Sequence, residues 1–143
     1  MTKFLFTTAL AAFVGFASMP AMANSFIIDQ RGFLNEAGGS QNGRRNDAAV
    51  FQNGVRNLGI VQQRGRGNLG VVGQQGRNNA AGIAQQGRNN DAGIGQFGRN
   101  HTATTQQNGR NNVSATVQTG NGCDADVRQT GSGNVSAVVQ HCR

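Results

Sequence analysis

Polar and apolar residues along this chain repeat inside a frame of eleven. Glutamine opens every unit, at Gln30, Gln41, Gln52, Gln63, Gln74, Gln85, Gln96, Gln107, Gln118, Gln129 and Gln140. Five residues after the opening Gln stands Asn, at Asn35, Asn46, Asn57, Asn68, Asn79, Asn90, Asn112 and Asn134, with His101 and Cys123 as exceptions. The seventh place is small throughout (Ala37, Ala48, Gly59, Gly70, Ala81, Ala92, Ala103, Ser114, Ala125, Ser136). The ninth is mostly branched and apolar (Val50, Val61, Val72, Ile83, Ile94, Val127, Val138), with Gly39, Thr105 and Thr116 as variants. On a β-strand, side chains alternate with period two. Asn, small residue, branched residue and next Gln therefore share one face. The other face holds Glu36, Asp47, Leu58, Ile60, Asp91, Thr102, Asp124, Asp126 and Arg128. It obeys no rule and reads as solvent-facing.

Eleven residues would also make three helical turns of a right-handed coiled coil. Glycine rejects that reading, since it recurs two places after the Gln, at Gly32, Gly43, Gly54, Gly65, Gly76, Gly87, Gly98, Gly109, Gly120 and Gly131. It is often followed by Asn-Asn, and such residues weaken helix interiors. Each unit instead predicts a strand of about seven residues and a tight turn. The turn falls on stretches such as Asn42-Gly43-Arg44-Arg45, where Gly takes positive φ without steric cost.

So short a strand cannot bury its own face. Two units make a 22-residue coil whose strands face each other, and coils stack in register. The expected fold is all-β, a β-solenoid of about five such coils and roughly 24 Å tall at the strand spacing of a sheet. Like residues then lie above one another, and the Gln and Asn side chains form amide ladders. Without those ladders each buried amide would cost about 1–3 kcal/mol.

The frame occupies residues 30–140. Before it, Lys3, the apolar run Phe4–Phe16 and Ala21-Met22-Ala23 read as an export signal cleaved after Ala23. That run is too short to span a bilayer. A short lead, 24–29, and a tail, 141–143, complete the expected organisation. The mature chain keeps four Phe and has no Trp or Tyr, too little bulk for a thick globular core. Twelve Arg against six acids favour anionic partners.

Other chemistry is thin. Gly65-Arg66-Gly67-Asn68-Leu69-Gly70 matches a dinucleotide fingerprint, but the repeat already explains its glycines and the strand–helix context is missing. No nucleophile–base–acid set stands apart, so neither an enzyme nor a cofactor or metal site is expected. Arg44, Arg66, Arg88 and Arg110 should line one edge, either as a solubilising device or as a sequence-blind site for extracellular DNA or anionic polysaccharide. Cys123 stands in the Asn place and Cys142 where a following unit would place Gly; units two apart share a corner, which brings them close, and they suit an oxidising compartment. A bridge between them would fasten the C-terminal end, with free or intermolecular thiols as the alternative.

The unit Q-x-G-x-x-N-x-A-x-x-x-Q, complete from Gln41 to Gln52, from Gln74 to Gln85 and from Gln85 to Gln96, resembles the curlin repeat of bacterial curli fibre subunits. The resemblance covers residues 30–140. It implies a functional amyloid exported to the periplasm, passed through an outer-membrane pore with accessory factors, and polymerised on the cell surface with itself and a companion subunit. Adhesion, aggregation and biofilm matrix are the implied roles. A minor nucleator shares the same repeat and stays open as an alternative. So does a monomeric solenoid that holds anionic polymer on its Arg edge.

Overall fold

The computed structural model describes residues 23–143. The export signal expected over residues 1–23 lies, but for its last residue, outside them. The described chain forms eleven strands: β1 (Ser25–Phe33), β2 (Glu36–Arg44), β3 (Asp47–Val55), β4 (Leu58–Arg66), β5 (Leu69–Arg77), β6 (Ala80–Arg88), β7 (Asp91–Arg99), β8 (Thr102–Arg110), β9 (Val113–Asn121), β10 (Asp124–Ser132) and β11 (Val135–Cys142). Odd-numbered strands build a six-stranded sheet and even-numbered strands a five-stranded one. All neighbours are parallel, and each residue lies beside the residue 22 further on, as Gln52 beside Gln74 and Gln63 beside Gln85. This is a β-solenoid, and the chain winds from one sheet to the other at every turn.

The interior is thin. Ala48, Val50, Val61, Val72, Ala81, Ile83, Ala92, Ile94 and Ala103 form its apolar centre. Across the gap the small seventh place of one strand meets the branched ninth place of the strand before. A Cβ built on Gly59 would come within 2.7 Å of Val50 Cγ1. In the first coil the sizes are exchanged: Phe26 takes a small place and Gly39 a branched one. A Cβ on Gly39 would overlap the Val61 carbonyl oxygen and run into the Phe26 ring at 2.6 Å, so the glycine makes room for the neighbouring backbone and for the phenyl group.

Three sequence expectations change. Residues 24–29, read as a lead, belong to a further unit: Asn24 stands in the Asn place and Ser25–Phe33 is a strand paired with β3. Of the tail, His141 and Cys142 lie in β11. Ten of the strands have nine residues rather than seven and β11 has eight; the ten run on through the recurring glycine of the frame to the residue after it. The link is then only two residues, as Arg45-Asn46 between β2 and β3.

Those links explain the turn chemistry. Their first residue is left-handed in all ten: Leu34, Arg45, Arg56, Asn78, Asn89, Asn100 and Asn111, with Gly67, Gly122 and Gly133. Asn and Gly visit this region most cheaply. The ten glycines expected to carry the turn instead lie inside the ladder near its end, with φ between 97° and 136°. A Cβ on Gly87 would overlap the carbonyl oxygen of Gly109 in the next coil. Glycine is needed there for close approach of backbones as much as for its φ.

Candidate functional site

The feature that repeats through the whole body is a pair of Gln columns, one per sheet. In the six-stranded sheet Gln30, Gln52, Gln74, Gln96, Gln118 and Gln140 are joined Nε2 to Oε1 at 2.7–2.9 Å. In the five-stranded sheet Gln41, Gln63, Gln85, Gln107 and Gln129 are joined at 2.8–2.9 Å. Each amide except that of Gln30 also ties the two sheets together. Gln85 Nε2, for example, donates to the Leu69 carbonyl at 2.8 Å, and Gln96 Nε2 to that of Ala80 at 2.9 Å. From Gln52 to Gln129 these side chains are buried, none more than 6 % exposed.

The Asn columns run at the corners with the opposite sense. Asn68 Oδ1 accepts the backbone N–H and the Nδ2 of Asn90, at 3.2 and 3.1 Å. Asn Nδ2 also donates to the glycine carbonyl nineteen residues on, as Asn90 to Gly109 and Asn112 to Gly131, both at 3.1 Å. The polar atoms of these buried amides thus point along the stack, across to the other sheet or into the turn. Satisfied in this way, an interior of amides is tolerable.

The sequence pattern of the curlin associated repeat matches residues 22–54, 43–76, 54–87, 65–98 and 76–104. Those windows together span residues 22–104, more than half of the chain. The chain belongs to the curlin repeat family. No curated protein matches it.

Two departures from the curlin pattern are absorbed by the same geometry. His101 replaces Asn and is fully buried. Its Nδ1 accepts the Cys123 backbone N–H at 3.1 Å, as Asn Oδ1 would. The ring proton therefore sits on Nε2, which donates to the Phe97 carbonyl at 3.3 Å. One coil later Cys123 stands in the Asn place and is bonded to Cys142, with Cα atoms 5.5 Å apart.

Arg44, Arg66, Arg88 and Arg110 are successive neighbours at the end of the strands of the five-stranded sheet. Among the described residues the ion pairs are Arg31–Asp29 and Arg128–Asp126, so this curlin column has no acidic partner.

Sequence reasoning treated the outward face as one set, whereas the two sheets differ. The six-stranded sheet shows columns such as Ile27, Ala49, Val71, Gly93, Ala115, Ala137 and carries exposed Phe51, Phe97, Val113 and Val139. The five-stranded sheet shows Ser40, Gln62, Ala84, Gln106 and Arg128 in one column and Asn42, Arg64, Gln86, Asn108 and Thr130 in the next. Between these columns runs a shallow groove of about 690 Å³. Splitting the units into odd and even would have revealed this contrast.

Proposed function

We propose that this curlin-repeat chain is the structural subunit of an extracellular, curli-type amyloid fibre serving adhesion, aggregation and biofilm matrix. One observation carries the reading. The Gln ladders run unbroken from the first coil to the last and stop at strand edges that no other described strand covers, β1 and β2 at one end and β10 and β11 at the other. Unprotected edges invite strand addition, and stacked amides are the stabilising device of cross-β assemblies. Export fits the signal read from residues 1–23. A companion subunit and an outer-membrane pore belong to this reading through the resemblance to curli subunits.

Purified mature chain, starting at Asn24, forms thioflavin-positive fibres after a lag and gives a meridional reflection near 4.7–4.8 Å. Gln129→Ala at the last coil slows growth more than Asp91→Ala on the outer face. A chain that stays monomeric at micromolar concentration for days, or equal rates for the two variants, sinks the proposal.

The Arg column supports a second role for the same fibre, sequence-blind binding of anionic polymer. Four arginines on neighbouring strands, with no ion pair to an acid among the described residues, suit a phosphate or carboxylate backbone. Double-stranded DNA and an acidic polysaccharide then bind with similar affinity and come off in high salt, and replacing Arg66 and Arg88 by Gln weakens both. The nucleator alternative is tested by seeding: a nucleator accelerates a companion subunit at trace amounts.

A further inference from the structure

The described residues form eleven strands, an odd number, and in a two-sheet solenoid that parity decides how a second copy of them stacks. β1 and β11 both lie in the six-stranded sheet. The next strand position of an uninterrupted spiral is therefore over β10, in the five-stranded sheet. We infer that in a fibre of this chain the next copy's β1 fills that position, so that successive copies are related by a half turn about the fibre axis. Each side of the fibre then alternates six strands from one copy with five from the next. The inference rests on the fibre-subunit reading and goes beyond it, since a chain with an even number of strands would stack without any such turn.

The alternative sets like sheet over like sheet, with the next copy's β1 on β11. The next copy's β2 would then stand two strand positions above β10. A slot one strand wide, about 4.8 Å, would open in the sheet at every junction. The N–H and C=O groups along both lips would have no backbone partner, a heavy cost for a structure held by its ladders.

The end groups are complementary in the sense the half turn requires. Gln129 and Gln140 each use one N–H on a backbone carbonyl, of Val113 and Asp124, both at 2.9 Å. In earlier coils the same amide nitrogen also meets the following Gln Oε1, as Gln107 meets Gln129 at 2.8 Å. At the other end Gln30 and Gln41 offer Oε1 atoms that receive no donor among the described residues. The corner column is open in the opposite sense. Asn112 Oδ1 accepts the Asn134 N–H at 3.1 Å, while Asn134 Oδ1 has no coil above it. The half turn sets the next copy's Gln30 over Gln129, its Gln41 over Gln140 and its Asn35 over Asn134, continuing three columns in register.

Charge on the outer face separates the two arrangements. Counting 22 residues on, the half turn brings the next copy's Asp29 beside Arg128. Like-over-like stacking would put that Asp29 beside Val139 and Arg31 beside His141. Only the half turn pairs opposite charges at these positions; it also sets the next copy's Arg44 beside Arg143 at the rim, where solvent screens the pair.

The test uses secreted mature chain with the Cys123–Cys142 bond intact. Equimolar Asp29→Cys and Arg128→Cys subunits are grown into fibres, oxidised gently and run on a non-reducing gel. A parallel mixture uses Asp29→Cys and Val139→Cys. Heterodimers are expected from the first mixture and not from the second. Imaging is expected to show a two-fold screw with an axial repeat of about 53 Å, eleven coils, at the β spacing. Heterodimers from the second mixture, or from neither in well-formed fibres, overturn the half turn while leaving the fibre reading in place. Absence of fibres removes both.

Discussion

Cys123 is joined to Cys142 across the same nineteen residues that elsewhere separate an Asn side chain from the glycine carbonyl it holds. In the last coil a covalent bond takes the place of a hydrogen bond. That coil has no neighbour above it within the chain, so β11 is held from one side only.

Reduction should loosen β11 and leave the middle of the body intact. Closing a loop of this length removes about 3 kcal/mol worth of unfolded-state entropy in the chain model. Amide exchange in Val135–Cys142 is expected to accelerate more than tenfold in reductant, with no change in β5 or β6. The double variant Cys123→Asn, Cys142→Gly rebuilds the hydrogen-bonded corner. It should show exchange that no longer responds to reductant.

Two glycines a few residues apart should answer oppositely to alanine. Gly87 has φ of 126° and faces the carbonyl of Gly109 so closely that no Cβ fits. Gly87→Ala should cost at least 2–3 kcal/mol, through strain and a parted ladder. Gly93 lies on the outer face with nothing within 4 Å of a built Cβ. Gly93→Ala should be neutral or stabilise by roughly 0.5–1 kcal/mol. Chemical denaturation of monomer, before assembly, reads both.

Arg45 and Arg56 hold left-handed backbone at φ 56° and 57°, where later turns have Asn or Gly. Arg45→Asn or Arg56→Gly should raise stability by about 1 kcal/mol. The same change at Arg44, which ends a strand at ordinary φ, should not. The comparison is a shift in denaturation midpoint.

The centre of β8 and β9 is weaker than that of the earlier coils. Thr105, Ser114 and Thr116 bury hydroxyls that find no partner; the strands just before them in the same columns have Ile83, Ala92 and Ile94. Thr105→Val and Thr116→Val keep the shape and remove an unsatisfied group. Each should stabilise by about 1–2 kcal/mol, seen as a higher midpoint with an unchanged slope.

The inward face was legible because its four places keep their character in most units, and period two then assigns them without help from anything distant. The turn was not, because Asn89 and Asn90 are the same residue in opposite roles. Asn89 takes the left-handed link, and Asn90 is buried in the corner column. Nothing in composition separates them; only the coil above does. β1 was missed for a different reason. Cutting each unit at Gln hid the half-unit that begins at Asn24, and Phe26 disguised its small place until Gly39 was found opposite. The Arg column was readable from its spacing, since residues 22 apart must share an edge once the coil length is known.

The slender centre described above also bears on how this molecule meets temperature. Unfolding it hydrates amides and methyl groups far more than oily bulk. Apolar hydration raises heat capacity and polar hydration lowers it. Its increment per residue should therefore fall below the ~12–15 cal/mol/K of ordinary globular domains. A small increment flattens the dependence of stability on temperature, so the same body should persist in the cold as well as in the heat.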